Sequence, residues 1–183
     1  MFATPRPFSI DEYHRLLDLN VLKRGSRTEL LDGLVLERPL RTDRQASIAA
    51  QLHRRLDQGL PASFLLRAEE PLTLANDTEL IPAFSLVTRA DAARAVRHPM
   101  TASLVVELAD ALDLERVRDG HLPAYARAGV AEVWLLNLVD RRAELVWKPS
   151  GGAFHDTMVL DAPLTLTSRA IAGLSVSGAG LLG

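Results

Sequence analysis

Apolar and polar positions between residues 101 and 138 predict a β-strand, a helix and a second β-strand. Residues 104–106 form an apolar, β-branched run typical of a buried strand, and Glu107 follows at its carboxyl end. Residues 130–136 form the second apolar strand, just after Gly129, which suits a helix end. Between the strands, apolar residues recur at a rough three-to-four spacing: Leu114, Val117, Leu122 and Tyr125. Ligands of open α/β sheets bind at the edge where such strands end, so Glu107 is a candidate for chemistry.

Pro123 interrupts the helical pattern of this central unit. A proline removes a backbone donor and crowds the preceding turn. We therefore expect the helix to kink or split after Gly120, next to His121.

Capping boxes begin two further predicted helices. Ser9 is followed by Glu12 at the third helical position, and Thr42 is followed by Gln45 in the same way. The first helix is expected to extend to about residue 18. The second carries an apolar stripe and is expected to end at Gly59 and to lie against the sheet.

A tight hairpin is predicted at residues 28–37, because Asp32-Gly33 supplies the positive φ angles of a two-residue turn. Glu29 lies on its first strand. Pro82 breaks another apolar stretch and suggests an edge strand or a β-bulge near the functional site. Further strands are predicted at 64–68, 72–75, 79–87, 141–147 and 154–160, with a connection at 149–152, a short helix at 90–96, and a weakly patterned apolar tail from residue 170.

Composition limits the classes of function. With 48% hydrophobic and 24% charged residues, residues 1–183 suit a single soluble, globular domain. The absence of cysteine excludes disulfides and thiolate catalysis and favours hard divalent cations at any metal site. A net charge of −2 gives no global attraction to nucleic acid. No apolar run approaches the ~20 residues of a membrane span, and the first residues lack a hydrophobic signal core, so we expect a cytoplasmic protein.

Several short motifs together resemble the Uma-type putative restriction endonucleases, a bacterial group with the PD-(D/E)XK nuclease fold. The motifs are ELLDG at 29–33, LIP at 80–82, VVE at 105–107, YARAGV at 125–130 and EVWL at 132–135. The resemblance extends over most of the chain. It implies an α/β fold with a central mixed β-sheet flanked by helices, and an active site at Glu107, Glu29 and the position of His121.

Two departures from the family pattern fall on catalytic positions. The family has Pro-Asp where this chain has Pro82-Ala83, and a lysine where this chain has His121; a milder departure is Val117, where many relatives have an acid. In this fold an aspartate and a glutamate hold a divalent metal, and the lysine orients or deprotonates the attacking water. Alanine offers no ligand oxygen. The resemblance therefore implies Glu107 and Glu29 as the remaining metal ligands. They would hold Mg²⁺ or Mn²⁺ in an active protein and no metal in an inactive one.

Each site residue also has a structural interpretation. Glu107 could be a strand-end acid neutralised by Arg116 or Arg118, and Glu29 could pair across the hairpin with Arg38.

His121 could act as a base or a charged donor, or could simply bind a backbone carbonyl. Three acids are candidates for a relocated ligand, although each also suits a surface position: Glu79, Asp110 and Asp113. The other histidines show no spacing typical of a metal cluster: His14, His53, His98 and His155. Arginine pairs that could contact phosphates are Arg54-Arg55, Arg116 with Arg118, and Arg141-Arg142.

Three functions follow as hypotheses. The first is a restriction-endonuclease-like protein with a degraded catalytic site, a non-cleaving homodimer that binds nucleic acid or a partner. The second is an active Mg²⁺-dependent DNA endonuclease with a rearranged site. The third is an interaction module, for which the apolar tail 170–182 supplies an interface.

Overall fold

The structure is a computed structural model that describes residues 5–23, 27–162 and 165–182. Its helices are α1 (Ile10–Asp18), α2 (Asp43–Gly59), α3 (Arg89–Arg94), α4 (Leu114–Arg116) and α5 (Leu122–Arg127), and a π-helical turn (Val117–His121) joins α4 to α5. Its strands are β1 (Thr28–Leu31), β2 (Leu34–Glu37), β3 (Phe64–Ala68), β4 (Leu72–Ala75), β5 (Thr78–Leu80), β6 (Phe84–Thr88), β7 (Leu104–Ala109), β8 (Glu132–Asn137), β9 (Arg142–Ser150), β10 (Ala153–Asp161), β11 (Thr165–Thr167) and β12 (Ser175–Ser177). None of the helices in these ranges is long and apolar enough to cross a bilayer.

The strands form a six-stranded sheet, a four-stranded sheet and a hairpin. The larger sheet has the order β10-β9-β8-β7-β6-β3, and the smaller has the order β2-β1-β5-β4. In the larger sheet β7 and β8 are parallel and the other neighbours are antiparallel, so the sheet is mixed. The predicted strand-helix-strand unit and the predicted mixed sheet flanked by helices are therefore confirmed.

Both predicted capping boxes and the predicted hairpin turn are present. The Ser9 hydroxyl accepts from the Glu12 backbone N–H while the Glu12 carboxylate accepts from the Ser9 N–H. Thr42 begins α2 in the same way. Asp32 and Gly33 have φ angles of 50° and 78°, as the two-residue turn requires.

Strand β7 divides its side chains between the two faces of the larger sheet. Leu104, Val106 and Leu108 pack in a core with α2 on one face. Val105 packs with Tyr125 on the other face. Glu107 alternates with Val106 and Leu108, so its carboxylate points to the same face as Val105, towards α5 and the π-helical turn.

Pro82 separates two strands that lie in different sheets. The prediction of one interrupted strand at 79–87 is therefore wrong, because β5 pairs with β1 and β4 whereas β6 pairs with β3 and β7. Proline cannot donate to a ladder, and the chain changes sheets there. Ala83 lies at this junction and is 2% exposed.

The predicted break in the central helix takes the form of the π-helical turn. The Leu122 N–H donates to the carbonyl of Val117, five positions back instead of four. Pro123 occupies the first turn of α5, where its missing donor costs little. His121 is the last residue of the turn, and such turns occur frequently at functional sites.

The apolar tail packs inside the protein. Leu174, Val176 and Leu182 are buried in the core that contains α2. Strands β11 and β12 form a hairpin that the sequence pattern did not predict. The buried Glu132 carboxylate accepts hydrogen bonds from the Ser168 hydroxyl and from the next two backbone N–H groups. The prediction that the tail supplies an interface is wrong, because its apolar side chains complete the protein's own core.

The last predicted hairpin is longer than expected. Pro149 was predicted to lie in the connection, but it lies within β9, opposite Phe154 of β10. Strand β8 pairs with β9 only as far as Trp147, so a missing donor at position 149 breaks no ladder bond on that side.

Candidate functional site

Four sequence positions that the family resemblance places in the active site lie together in the structure. His121 contacts both Glu107 of β7 and Glu29 of β1. Ala83 lines the same small cavity as Glu107. The four positions therefore lie together, whereas their chemical roles stay predictions.

His121 is completely buried between the two carboxylates. Its Nδ1 lies 2.9 Å from Oε1 of Glu107, and its Nε2 lies 2.8 Å from Oε1 of Glu29. Burial alone would lower the pKa of His121, but hydrogen bonds and negative charge from the two glutamates outweigh it and raise the pKa to about 9. At neutral pH the ring is an imidazolium that donates from both nitrogens. The alternative of a bond to a backbone carbonyl is wrong.

The glutamates are held as carboxylates despite their burial. Burial raises the pKa of Glu107, but hydrogen bonds from His121 and Tyr125 and the charge of His121 lower it below its usual value. The Tyr125 hydroxyl donates to Glu107 Oε1 over 2.6 Å. The pKa of Glu29 is lowered in the same way, by His121 and by the charge of Arg116, against the effect of burial.

Arginines complete the neutralisation of Glu29. Arg116 Nη1 donates to Glu29 Oε1 over 2.7 Å, and Arg38 Nε lies 3.5 Å from Glu29 Oε2, so the predicted pairing with Arg38 is present. Arg116 Nη1 also lies 2.7 Å from His121 Nε2. Both nitrogens also approach the same oxygen of Glu29, Oε1, whose negative charge offsets the repulsion between Arg116 and a protonated His121. Arg118 pairs with Glu144 instead of Glu107.

A cavity of about 10 Å³, room for one water molecule, lies beside this network. Two acids, Glu107 and Asp113, line this cavity. Its lining also includes four arginines from several parts of the chain: Arg27, Arg38, Arg41 and Arg116. Asp113 accepts from Gln45 Nε2 over 3.0 Å and from Arg116 Nη2 over 2.8 Å.

Among the three candidates for a relocated ligand, Asp113 alone lines this cavity. Asp110 accepts from the backbone N–H of Leu112 in a turn. Glu79 is paired with Leu30 across β1 and β5, so the two side chains share a face of the smaller sheet. Glu29 is the next residue along β1 and points to the opposite face.

The side chains of the network do not fit a divalent metal held by Glu29 and Glu107. Mg²⁺ requires near-octahedral oxygen ligands at ~2.1 Å. The facing oxygens of both glutamates instead accept hydrogen bonds from the His121 imidazolium, and Ala83 has no ligand atom. The positively charged His121 ring lies between the two carboxylates and supplies the charge that a metal ion would supply there.

The charge of His121 predicts a loss of stability at alkaline pH. The folded pKa of about 9 lies above the unfolded value of 6.5, so this stabilisation is complete below pH 6.5 and disappears as the pH rises through 9. A shift of this size corresponds to about 3 kcal/mol. Urea unfolding at pH 6.5 and 9.5 measures it. The control is His121→Lys, which stays charged in this window and should lose less. Equal losses for both proteins would contradict the assignment.

Several partners of the site could not be found from the sequence. Tyr125 was predicted as an apolar helix position, and its hydroxyl contact to Glu107 was missed. Gln45 was predicted as a capping residue, which it is, but its amide also binds Asp113. Arg27 and Arg41 carried no signal, because neither the position just before β1 nor the connection between β2 and α2 has a sequence motif.

The remaining predicted arginine pairs lie elsewhere. Arg55 donates to tail carbonyls, and Arg142 pairs with Asp140 and Glu144. Among the other histidines, His14 and His98 meet at Glu79, although their spacing in the chain indicated no cluster. Elements distant in sequence bring them together.

Comparison with known proteins identifies the family. A crystal structure of a putative nuclease belonging to DUF820, from Anabaena variabilis ATCC 29413, matches with a TM-score of 0.76 and 15% identity over 96% of this chain and 98% of that chain, which shows a shared fold. A cryo-EM structure of a DrdV-DNA complex matches with a TM-score of 0.39 and 12% identity over 82% of this chain and 12% of that chain. Curated proteins gave no match. The family model described as "Putative restriction endonuclease" matches residues 10–179, and the chain therefore belongs to the Uma2 family.

Proposed function

We propose that this protein is a restriction-endonuclease-like protein that does not cleave DNA and that binds nucleic-acid phosphates at the arginines beside its former catalytic site. The observation that carries the proposal is the His121 imidazolium between Glu29 and Glu107. Ala83, buried in the same cavity, has no oxygen with which to replace the metal ligand of the family pattern.

The absence of cleavage follows from the charge of the site. A nuclease of this fold needs a metal ligand at position 83 and a group that activates water at position 121. His121 has no free lone pair at neutral pH, since both nitrogens donate to carboxylates and its pKa is raised to about 9. It therefore cannot take a proton from water as a general base.

Phosphate binding is supported by the arginines at the cavity. The Nε atoms of Arg27 and Arg116 are buried without a hydrogen-bond acceptor, and Arg38 Nε has only the distant contact of 3.5 Å to Glu29 Oε2. Buried donors of this kind favour an anion or a water molecule that satisfies them. The cavity itself has room for one water, so a phosphate would lie at its mouth, where the side chains of Arg27, Arg41 and Arg116 are partly exposed.

DNA binding is expected to be weak and strongly dependent on salt, because a chain of net charge −2 must rely on these few arginines. Fluorescence anisotropy with a labelled duplex at several salt concentrations measures the dependence. Arg38→Gln combined with Arg41→Gln should flatten the plot of log affinity against log salt by about 0.9 for each lost phosphate contact.

Arg15→Gln is the matched control, since Arg15 is exposed on α1 and does not line the cavity. It should leave the slope nearly unchanged. An affinity that does not change between low and physiological salt would indicate a different ligand. An equal effect of Arg15→Gln would place the binding surface elsewhere.

A second candidate function is an active Mg²⁺-dependent endonuclease with a rearranged site. The observation in its favour is Asp113, a buried acid in the same cavity as Glu107. In this arrangement Arg116 would have to release Asp113 before a metal could bind. Cleavage that depends on Glu107 separates this candidate from the first.

A homodimer belongs to the same proposal, since two-fold dimers are the commonest soluble oligomers. Light scattering during size-exclusion chromatography tests it, and a monomer at all concentrations would contradict it.

A further inference from the structure

We propose that His14, Glu79 and His98 form a binding site for a divalent transition-metal ion of the zinc class, separate from the candidate active site. One ligand atom from each residue lies within 4.8 Å of the others. Two imidazoles and one carboxylate are a common ligand set for Zn²⁺. Neither the family pattern nor the proposed function uses these residues.

The site lies on a different face of the smaller sheet from the candidate active site. Glu79 of β5 pairs with Leu30 of β1, so its side chain points away from the face that Glu29 uses. His14 comes from α1, and His98 comes from the segment that follows α3. Three elements distant in the sequence therefore supply one ligand each.

The present distances require only a small rearrangement. His14 Nε2 lies 2.8 Å from Glu79 Oε2. A tetrahedral Zn²⁺ with bonds of ~2.05 Å holds its ligand atoms roughly 3.3 Å apart. The atoms of His14 and Glu79 would thus separate by about 0.5 Å, and that of His98 would approach by at most about 1.5 Å, so that the ion replaces the hydrogen bond between His14 and Glu79. His98, in an irregular segment, is the ligand best able to adjust.

A supporting hydrogen bond orients the carboxylate. The Thr73 hydroxyl donates to Glu79 Oε2 over 2.6 Å from the neighbouring strand β4. Metal-ligating carboxylates generally have such a partner, whose loss costs about 10–100-fold in metal affinity. Glu79 and His14 are both largely buried, with side chains that are 3% and 14% exposed.

Arginines near the site are paired with carboxylates, which weakens their repulsion of a metal ion. Arg97, adjacent to His98, forms two hydrogen bonds to Asp18 at the end of α1. Arg94 pairs with Asp91. The pair between Arg97 and Asp18 also ties the segment that carries His98 to the helix that carries His14, so the two ligands are already held together.

A cavity of about 450 Å³ opens next to the two histidines. His14 and His98 line it together with Thr73 and with acids at Asp11 and Asp91. Zinc sites with three protein ligands and access to solvent keep a fourth position for water or a small ligand. The structure thus assigns to this site an open coordination position that faces the cavity.

The test uses the full chain without a histidine tag, treated with a chelator. Calorimetric titration with Zn²⁺ should give one site per chain, and Co²⁺ should give the visible absorption of a low-coordinate complex. His98→Ala should weaken binding by more than about 100-fold, and Thr73→Val, which keeps all three ligands, by about 10–100-fold. Circular dichroism checks that each variant is folded.

Two controls separate this site from other sources of binding. His155→Ala removes an exposed histidine and should leave affinity unchanged. Glu107→Gln alters the candidate active site and should also leave it unchanged, so the outcome is independent of the proposed function. Absence of saturable Zn²⁺ binding, or binding that survives His98→Ala in folded protein, would overturn the proposal.

Discussion

Replacing His121 by alanine is expected to lower the free energy of unfolding at pH 7 by about 3–5 kcal/mol. The substitution removes the cation between Glu29 and Glu107 and leaves two buried carboxylates that face each other. It also opens a cavity in a position that is fully buried. Urea denaturation followed by circular dichroism measures the change.

Two variants separate charge from volume in this experiment. His121→Lys keeps a cation within reach of the carboxylates and should cost much less than His121→Ala. In a Glu29→Gln background the cost of His121→Ala should also fall, because one of the two charges is already gone. A loss below about 1 kcal/mol for His121→Ala would contradict the ionic role of the ring.

The second large effect is a gain of function. Ala83→Asp combined with His121→Lys is expected to produce Mg²⁺-dependent nicking of supercoiled plasmid. Aspartate adds a carboxylate in the cavity that Glu107 lines, and lysine restores the long donor of the family pattern. Neither change alone should suffice, since residues that act as one catalytic unit are strongly non-additive.

The control for this experiment is Glu107→Ala in the double variant, which should abolish the nicking. Arg116 binds Glu29 and Asp113 and competes with a metal for both. If the folded double variant remains inactive, adding Arg116→Gln tests whether this arginine blocks the metal. Inactivity of all of these variants would show that the loss extends beyond positions 83 and 121.

Much of the fold could be predicted because its signals are local. The capping boxes at Ser9 and Thr42 and the turn at Asp32-Gly33 depend on neighbouring residues only, and the structure contains all three. The change of sheet at Pro82 and the packing of the tail were predicted wrongly. Both depend on which distant strands and helices supply partners, and no local pattern encodes that choice.

In the candidate site, too, the features set by local motifs were predicted and those set by distant partners were not. The positions of Glu107 and His121 followed from the family motifs, and the structure places them together. The charge of His121 did not follow, because it depends on Glu29 from another sheet. Arg116 was predicted as a partner of Glu107, but it donates its hydrogen bond to Glu29, which another sheet supplies, and acts on Glu107 only through its charge.

Nicking of supercoiled plasmid by the wild-type protein tests the central claim most directly. The reactions contain Mg²⁺ or Mn²⁺, and the same reactions with Glu107→Ala serve as the control. The imidazolium of His121 and the missing oxygen at Ala83 predict that both proteins leave the plasmid at the background level. Robust nicking by wild type that disappears in Glu107→Ala would contradict the account and establish an active, rearranged endonuclease.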